Sequence, residues 1–185
     1  MVTVSVSQAE GLDAERVTSR VVASGRRHLK GRRPSAGILF AAAGFDHQLI
    51  MDQVHAAFPE MPLIGCTTAG NFSSDGGYSD DAVSLMMFSS DTVEIHAGLG
   101  RSLSRGYGPA AREALAMAGR NRSQPARVCL ALPDLVRHAG GDVIDALRRE
   151  LGDDCAIFGG SPAALDFTGQ TIRQFFGGEV LEDAL

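Results

Sequence analysis

Short apolar runs alternate along the chain with longer stretches in which apolar residues recur every three or four positions. The short runs predict strands and the longer stretches predict helices, because side chains alternate in a strand and repeat every 3.6 residues in a helix. The residues before Leu12 show neither pattern, so we expect an irregular start. The predicted helices are Asp13 to about Lys30, Gln48–Phe58, Pro109 to about Ala118 and Val143–Leu151, and the predicted strands include Ile38–Ala42, Val83–Phe88, Val93–Leu99 and Val128–Leu132.

One apolar run leads directly into small and hydroxyl-bearing residues, in the order LIGCTTAG over Leu63–Gly70. A similar order, AIFGGSPAA, returns over Ala156–Ala164, and the first glycines of the two stretches lie 94 residues apart. Glycine at a strand end lets a ligand or another backbone come close. The two stretches therefore predict a binding surface rather than, by themselves, a catalytic one.

The flanking elements repeat as well, so we predict two pseudo-repeated units over about residues 34–99 and 124–185. Each unit reads as strand, helix, strand with a small-residue end, long loop and hairpin. The first hairpin would join Val83–Phe88 to Val93–Leu99, and the second would turn at Gly177-Gly178. We expect an α/β fold with mixed sheets and helices packed on them. The open alternative is that strands and helices merely alternate, which makes any α/β chain look self-similar.

Composition narrows the class of protein. The chain is 44% apolar and 21% charged, as in ordinary soluble domains, and no apolar run approaches the ~20 residues of a membrane span. It has no signal-peptide pattern, so we expect a cytoplasmic protein without membrane insertion. The net charge of −5 argues against nucleic-acid binding. Three scattered cysteines, Cys66, Cys129 and Cys155, suggest neither a metal site nor disulfides.

A basic run from Arg26 to Arg33 holds five cationic side chains in eight residues. It falls where the first helix should end, and cations there complement the helix dipole while Gly31 stops the helix. A docking patch for an acidic partner is the alternative interpretation.

The candidate site combines main-chain N–H groups and hydroxyls from the two small-residue stretches, which would hold a carboxylate or a similar polar group. Asp134 follows a predicted strand at the sheet edge where ligands bind in α/β proteins, so it could hold a cation or hydroxyl, or it could simply cap a turn. The loop Asn71–Ser79 would cover the site or be pinned to the core by Phe72 and Tyr78. The predicted ligand-binding residues are Gly65, Cys66, Thr67, Thr68, Gly70, Asp134, Gly159, Gly160 and Ser161.

With these residues assembled, the chain resembles the N-terminal domain of the FIST family, a sensory module named for F-box and intracellular signal transduction proteins. The resemblance extends from about residue 12 to the end, and the GCTTAG stretch is its most specific part. Further elements that carry it are the strand Val83–Phe88, Leu132-Pro133-Asp134, Phe158-Gly159-Gly160-Ser161, Phe167-Thr168 and Phe175-Phe176-Gly177-Gly178. The stretch Pro162–Leu165 departs from the family pattern, which expects a Gly or Asp soon after Ala163.

The resemblance implies one cytosolic sensory domain over 1–185, of a kind that usually precedes a C-terminal FIST domain that we expect to be absent here. In bacteria, such domains are linked to histidine kinases, diguanylate cyclases or chemoreceptors. Their proposed ligands are small molecules such as amino acids, and some members bind haem and respond to nitric oxide.

Three alternatives stay open beside a small-ligand sensor. A haem sensor would need an axial ligand in an apolar cleft, for which His55 and His96 are the best candidates. An enzyme could use Cys66 as a nucleophile, although no histidine lies near it in sequence, and we expect no catalysis. A docking module would need no small ligand. Within the leading hypothesis, Gly65→Val should abolish ligand binding with little loss of folding.

Overall fold

The computed structural model describes residues 1–120, 123–135, 140–164 and 172–185. The helices are α1 (Ala14–Leu29), α2 (His47–Ala57), α3 (Tyr107–Gly119) and α4 (Gly140–Leu151). The strands are β1 (Val2–Glu10), β2 (Ala36–Ala42), β3 (Leu63–Thr68), β4 (Asn71–Ser73), β5 (Gly77–Ser79), β6 (Ala82–Ser90), β7 (Val128–Ala131), β8 (Ala156–Gly159), β9 (Gln174–Phe176) and β10 (Glu179–Leu181).

The main sheet is mixed and has six strands in the order β1-β6-β2-β3-β9-β10. β2 and β3 are parallel and joined through α2, whereas β6 lies antiparallel between β1 and β2. One face of this sheet packs against α1 and α2, where Leu39, Leu85 and Val54 are completely buried. The predicted α/β architecture, with helices packed on a mixed sheet, is confirmed.

Local signals fix the starts of the first two helices and the end of α1. Asp13 accepts a hydrogen bond from the N–H of Arg16 at 3.0 Å, and Asp46 accepts one from the N–H of Leu49 at 3.1 Å. α1 ends where Lys30 takes a left-handed conformation with φ of 51°. The end of α1 therefore accounts for the position of the basic run. Within that run, the guanidinium of Arg26 donates a hydrogen bond to the carbonyl of Ala57 at 3.0 Å.

The second half of the chain forms a smaller unit with its own core. β7 and β8 are parallel and make a two-stranded sheet, connected through the segment that contains α4. α3 and α4 pack together over it, burying Leu103, Val143 and Leu147. β9 and β10, although they follow β8 in sequence, join the main sheet beside β3. Two strands from the second half of the chain therefore belong to the sheet of the first half, so the two halves share one sheet.

None of the helices within the described ranges has the length and apolar character to cross a membrane.

Two predictions about strands of the main sheet were wrong. Residues 2–10 are not irregular but form β1, which pairs with β6 along its whole length from Val2↔Ser90 to Glu10↔Ala82. Val83–Phe88 does not form a hairpin with Val93–Leu99. It belongs to β6, whose neighbours are β1 and β2, and residues 91–100 contain no strand. The partners of β6 lie far away in sequence, so the short turn after it carried no information about pairing.

The segment Asn71–Ser79 was predicted as a mobile or covering loop, but it forms the short hairpin β4–β5. Phe72 and Tyr78 pair across its two strands and are 82% and 65% exposed, so they do not pin the segment to the core. Asn71 does this instead, because its side-chain amide is buried and donates to the carbonyl of Ala82 at 2.7 Å.

Gly65 and Gly159 occupy equivalent places in the two parallel strand pairs. Gly65 pairs with Leu39 and Gly159 pairs with Ala131, and at each glycine a Cβ atom would collide with the carbonyl oxygen of its partner. Both positions therefore require glycine because the two backbones approach closely there. This geometry overturns the expectation that Gly65→Val would spare the fold.

Gly65→Ala should destabilise the protein by at least the roughly 1–3 kcal/mol typical of overpacked cores, because the collision involves backbone atoms that cannot rotate away. Urea unfolding measured by circular dichroism gives the comparison. Gly44→Ala is the matched control, since nothing lies within 4 Å of the place its Cβ would occupy. Equal stability of the two variants would contradict the close approach of β2 and β3.

Candidate functional site

The two small-residue stretches, distant in sequence, meet in the structure. β3 ends at Thr68 and β8 ends at Gly159, and the chain that follows β8 runs across the end of β3. The N–H of Ala163 donates to the carbonyl of Thr67 at 3.0 Å. The structure thus brings together the two strand ends that the sequence singled out, and we call this region, with Asp134, Ser161 and Arg173, the junction.

Thr67 lies at the centre of the junction and is completely buried. Its N–H donates to the carbonyl of Arg173 at 2.9 Å, and its hydroxyl accepts from the N–H of Arg173 at 3.0 Å. The neighbouring Thr68 donates its hydroxyl proton to Asn71 at 3.2 Å. Both threonine hydroxyls are therefore engaged in holding the end of β3 against the chain segments around it.

Three of the main-chain N–H groups proposed to cradle an anion, those of Gly65, Cys66 and Gly160, are also engaged. The main-chain N–H and C=O groups of odd-numbered β3 residues point toward β9, since the carbonyl of Leu63 accepts a hydrogen bond from the N–H of Gly177 at 2.9 Å. Those of even-numbered residues point toward β2. The N–H of Gly65 therefore belongs to the hydrogen-bond ladder between β3 and β9, and the N–H of Cys66 belongs to the ladder between β3 and β2. The N–H of Gly160 donates to the carbonyl of Ala131 at 3.3 Å. An anion cradle made from these groups would require ladder hydrogen bonds to break.

Gly70 and Gly159 have structural surroundings too. The ring of Tyr78 lies against Gly70, where a Cβ would come within 2.7 Å of the tyrosine hydroxyl, and Gly159 has a φ of 153° that favours glycine. The glycines of the predicted site thus shape the strand ends, and the polar side chains remain as the groups that could contact a ligand.

Asp134 is the most unusual of these polar groups. It is only 4% exposed, its N–H donates to the carbonyl of Ala184 at 3.0 Å, and its Oδ2 accepts from the N–H of Asp183 at 3.2 Å. Its other carboxylate oxygen, Oδ1, is buried and has no hydrogen-bond donor among the residues that the structure describes. Leaving a buried polar atom unpaired costs about 1–3 kcal/mol, and more when the group is charged.

Ser161 is linked to the residue that follows Asp134 in the chain. Its Oγ accepts a hydrogen bond from the N–H of Leu135, the residue that follows Asp134, at 3.1 Å. The loop after β7 and the loop after β8 are therefore bridged at the position of Asp134. Of the predicted site residues, the structure thus brings Thr67, Asp134 and Ser161 to one region.

Gln174 is a junction residue that the sequence analysis missed. Its buried amide donates to the carbonyls of Leu132 and Ala184 at 2.6 and 2.7 Å, and its Oε1 accepts from the N–H of Ala184 at 3.0 Å. The only sequence signal was a glutamine placed directly before two phenylalanines in a strand. Its partners lie in loops whose proximity no local pattern predicts.

Arg173 supplies a cation at the edge of the junction. Its guanidinium forms an ion pair with Glu182 at 2.9 Å and also donates to the carbonyl of Ile172 at 2.6 Å. The side chain is 29% exposed, so solvent reaches it. A carboxylate arriving from solution could compete with Glu182 for this group.

Cys66 does not have the environment of a nucleophile. Burial raises the pKa of its thiol to about 12, whereas a reactive thiolate needs a lowered value. Burial, as the largest cause, likewise raises the pKa of Cys129 to about 11. Within the part of the chain that the structure describes, no cluster of three or more His, Cys, Asp or Glu side chains could hold a metal ion.

Among the described residues, neither histidine considered for haem ligation lines the apolar concavity on the main sheet. His55 is exposed on α2, and His96 lies beside Glu94 at 3.4 Å. His47 is more enclosed, packing at 5.5 Å from the ring of Phe175, and burial lowers its pKa. A shallow apolar concavity of about 220 Å³ lies on the face of the main sheet opposite α1 and α2. It is lined by Val6, Ile38, Phe40, Phe72, Ser73, Ser74, Ser84, Leu85 and Met86.

Comparison with known proteins gives one result. Residues 35–185 match the family model described as the FIST N domain. No curated protein matches the chain.

The raised pKa of Cys66 makes stability depend on pH. Because the folded pKa of about 12 lies above the ordinary value of 9.0, the stabilisation is complete below pH 9 and is lost as pH rises through the folded pKa. Above pH 9, the wild type should lose up to about 1.4 kcal/mol more per pH unit than Cys66→Ala. Urea unfolding at about pH 7 and pH 10 measures this, and parallel losses in both proteins would contradict it.

Proposed function

This chain belongs to the FIST family, a family of signal-transduction sensory domains, and from that membership we propose that it binds a small amino-acid-like ligand at the junction. In this proposal Asp134 accepts the ligand's ammonium or hydroxyl donor. The chain acts as a sensor that passes the signal to a partner or output domain, and it uses no resident cofactor and no catalytic step.

The buried, unpaired Oδ1 of Asp134 is the observation that carries the proposal. A carboxylate oxygen without a donor destabilises the arrangement in which it is buried, and a charged donor would relieve that cost with a hydrogen bond of about 1.5–3 kcal/mol. Gln174 nearby shows the contrast, because three hydrogen bonds satisfy its amide. Asp134 is therefore the junction group with spare capacity for a ligand.

The second charge of an amino acid would be met by Arg173. Its guanidinium is partly exposed, and its ion pair with Glu182 is the kind that an incoming carboxylate can replace. Arg173 takes the place of the main-chain N–H cradle of the sequence hypothesis, since the N–H groups of Gly65, Cys66 and Gly160 are used in the sheets.

Signalling would follow from differential affinity, because a ligand shifts a conformational equilibrium only when it binds one state better. The hydrogen bonds Ala163 to Thr67 and Leu135 to Ser161 close the junction over Asp134. A ligand that pairs with Oδ1 stabilises this closed state relative to one with the loops apart. We propose a cytoplasmic histidine kinase, diguanylate cyclase or chemoreceptor as the partner that reads the difference.

Binding can be tested by thermal shift with the twenty amino acids and by isothermal titration calorimetry with any that raise Tm. Asp134→Asn should weaken binding by roughly ten-fold or more, because it removes the charge that pairs with the ligand. The ligand-free variant should be as stable as the wild type or more so, since it no longer buries an unpaired charge.

Asp153→Asn, at an exposed position, is the matched control and should bind like the wild type. Failure of every amino acid to raise Tm, or equal affinity of Asp134→Asn and the wild type, would refute the proposed site.

A further inference from the structure

The concavity of about 220 Å³ lies between the β4–β5 hairpin and the main sheet. Its floor is formed by apolar side chains of β1, β2 and β6, namely Val6, Ile38, Phe40 and Met86. Its wall is formed by residues of β4 and the turn that follows it, namely Phe72, Ser73 and Ser74. Floor and wall both come from residues 6–86, so no further segment is needed to form the concavity.

The hairpin is fixed to the sheet by side chains at both of its ends. β4 and β5 have three residues each, and a hairpin of this size is at best marginally stable alone. At the turn, the N–H of Gln8 in β1 donates to Asp75 at 3.0 Å, and the Gln8 amide donates to the carbonyl of Gly77 at 3.1 Å. At the base, the buried amide of Asn71 donates to the carbonyl of Ala82 at 2.7 Å. The wall of the concavity is therefore in place before any ligand binds.

The residues that line the concavity decide the charge of a ligand. None of them is ionisable, and the floor is apolar, so a charged ligand would lose hydration without gaining a partner. Ser84 supplies one polar contact. Its hydroxyl donates its proton to Gln8 at 2.9 Å, so its oxygen can still accept a hydrogen bond. An uncharged molecule with one N–H or O–H donor meets both conditions.

The volume decides the size of the ligand. An apolar cavity of about 150 Å³ binds benzene, which has six carbon atoms. In the same proportion, this concavity holds roughly nine non-hydrogen atoms. Phe40 in the floor and Phe72 in the wall offer aromatic surface, and aromatic rings gain from contact with one another beyond the area that they bury. A helix, with a diameter of about 10 Å, is too wide for such a space.

We propose that the concavity binds a small uncharged aromatic molecule that carries one N–H or O–H donor, as indoles and phenols do. The ring packs on the apolar floor and against Phe72, and the donor bonds to the Ser84 oxygen. The junction residues Asp134, Ser161 and Arg173 do not line the concavity. This site is therefore additional to the amino-acid site proposed at Asp134.

Indole is the probe for the test, because the chain contains no tryptophan and indole fluorescence therefore reports the ligand alone. Titrating indole with the full chain should give a saturable rise in its fluorescence anisotropy. Val6→Phe fills the floor with a larger side chain, so indole should bind at least roughly ten-fold more weakly. Val4→Phe is the matched control and should bind like the wild type, since Val4 is on the same face of β1 but does not line the concavity. Circular dichroism verifies that both variants fold.

Phe72→Ala is a second variant, chosen because Phe72 is 82% exposed and its loss should leave the fold intact. Loss of the aromatic wall should weaken indole binding roughly two- to ten-fold. Asp134→Asn should bind indole like the wild type.

Absence of saturable binding, or equal affinity of Val6→Phe and the wild type, would overturn the proposal. Weaker indole binding by Asp134→Asn with no change in Val6→Phe would assign indole to the junction and would also overturn it. Failure of this test leaves the amino-acid site unaffected, because that site is tested by other ligands and by Asp134→Asn. Binding that Val6→Phe and Phe72→Ala weaken and that Val4→Phe and Asp134→Asn preserve would support the proposal.

Discussion

The amide of Gln174 joins the two halves of this protein. Gln174 belongs to β9, a strand of the main sheet, yet its side chain hydrogen-bonds the loop after β7 and the residue Ala184. Because the amide is buried, losing any of these partners would leave a polar atom unpaired in the interior. The contact between Thr67 and Ala163 and the position of Asp134 both depend on the two halves being held in this relation.

Asp134 is held by the same hydrogen bonds, but among the described residues only one of its two carboxylate oxygens has a donor. The main chain around it is fixed by Ala184 and Asp183, so the carboxylate cannot turn toward another donor without losing Oδ2's hydrogen bond. The framework therefore keeps Oδ1 buried and without a donor among the described residues. A buried carboxylate oxygen without a donor raises the free energy of the folded protein, and a ligand that donates a hydrogen bond to it lowers that free energy. The junction, rather than the glycine main chain, is therefore the best candidate for sensing.

Much of the local structure was predictable from sequence. The caps Asp13 and Asp46 and the turn at Gly177 depend on neighbours a few residues away. Predictions failed where a partner lay far along the chain. β1 and β6 pair across some eighty residues, and the predicted strand Val93–Leu99, expected to pair with its neighbour in sequence, is not a strand. Main-chain hydrogen bonding is not sequence-specific, so pattern alone could not select those partners.

The sequence by itself determined which strand ends would carry small and polar residues, and it placed Thr67, Asp134 and Ser161 among the candidates. Only the tertiary structure decided what each residue does. Gly65 and Gly159 permit close backbone approach, Cys66 is a buried neutral thiol, and Asp134 keeps one unpaired oxygen. These differences follow from burial and from which hydrogen-bond partners are present, and both are properties of chain segments brought together by folding rather than of residues adjacent in sequence.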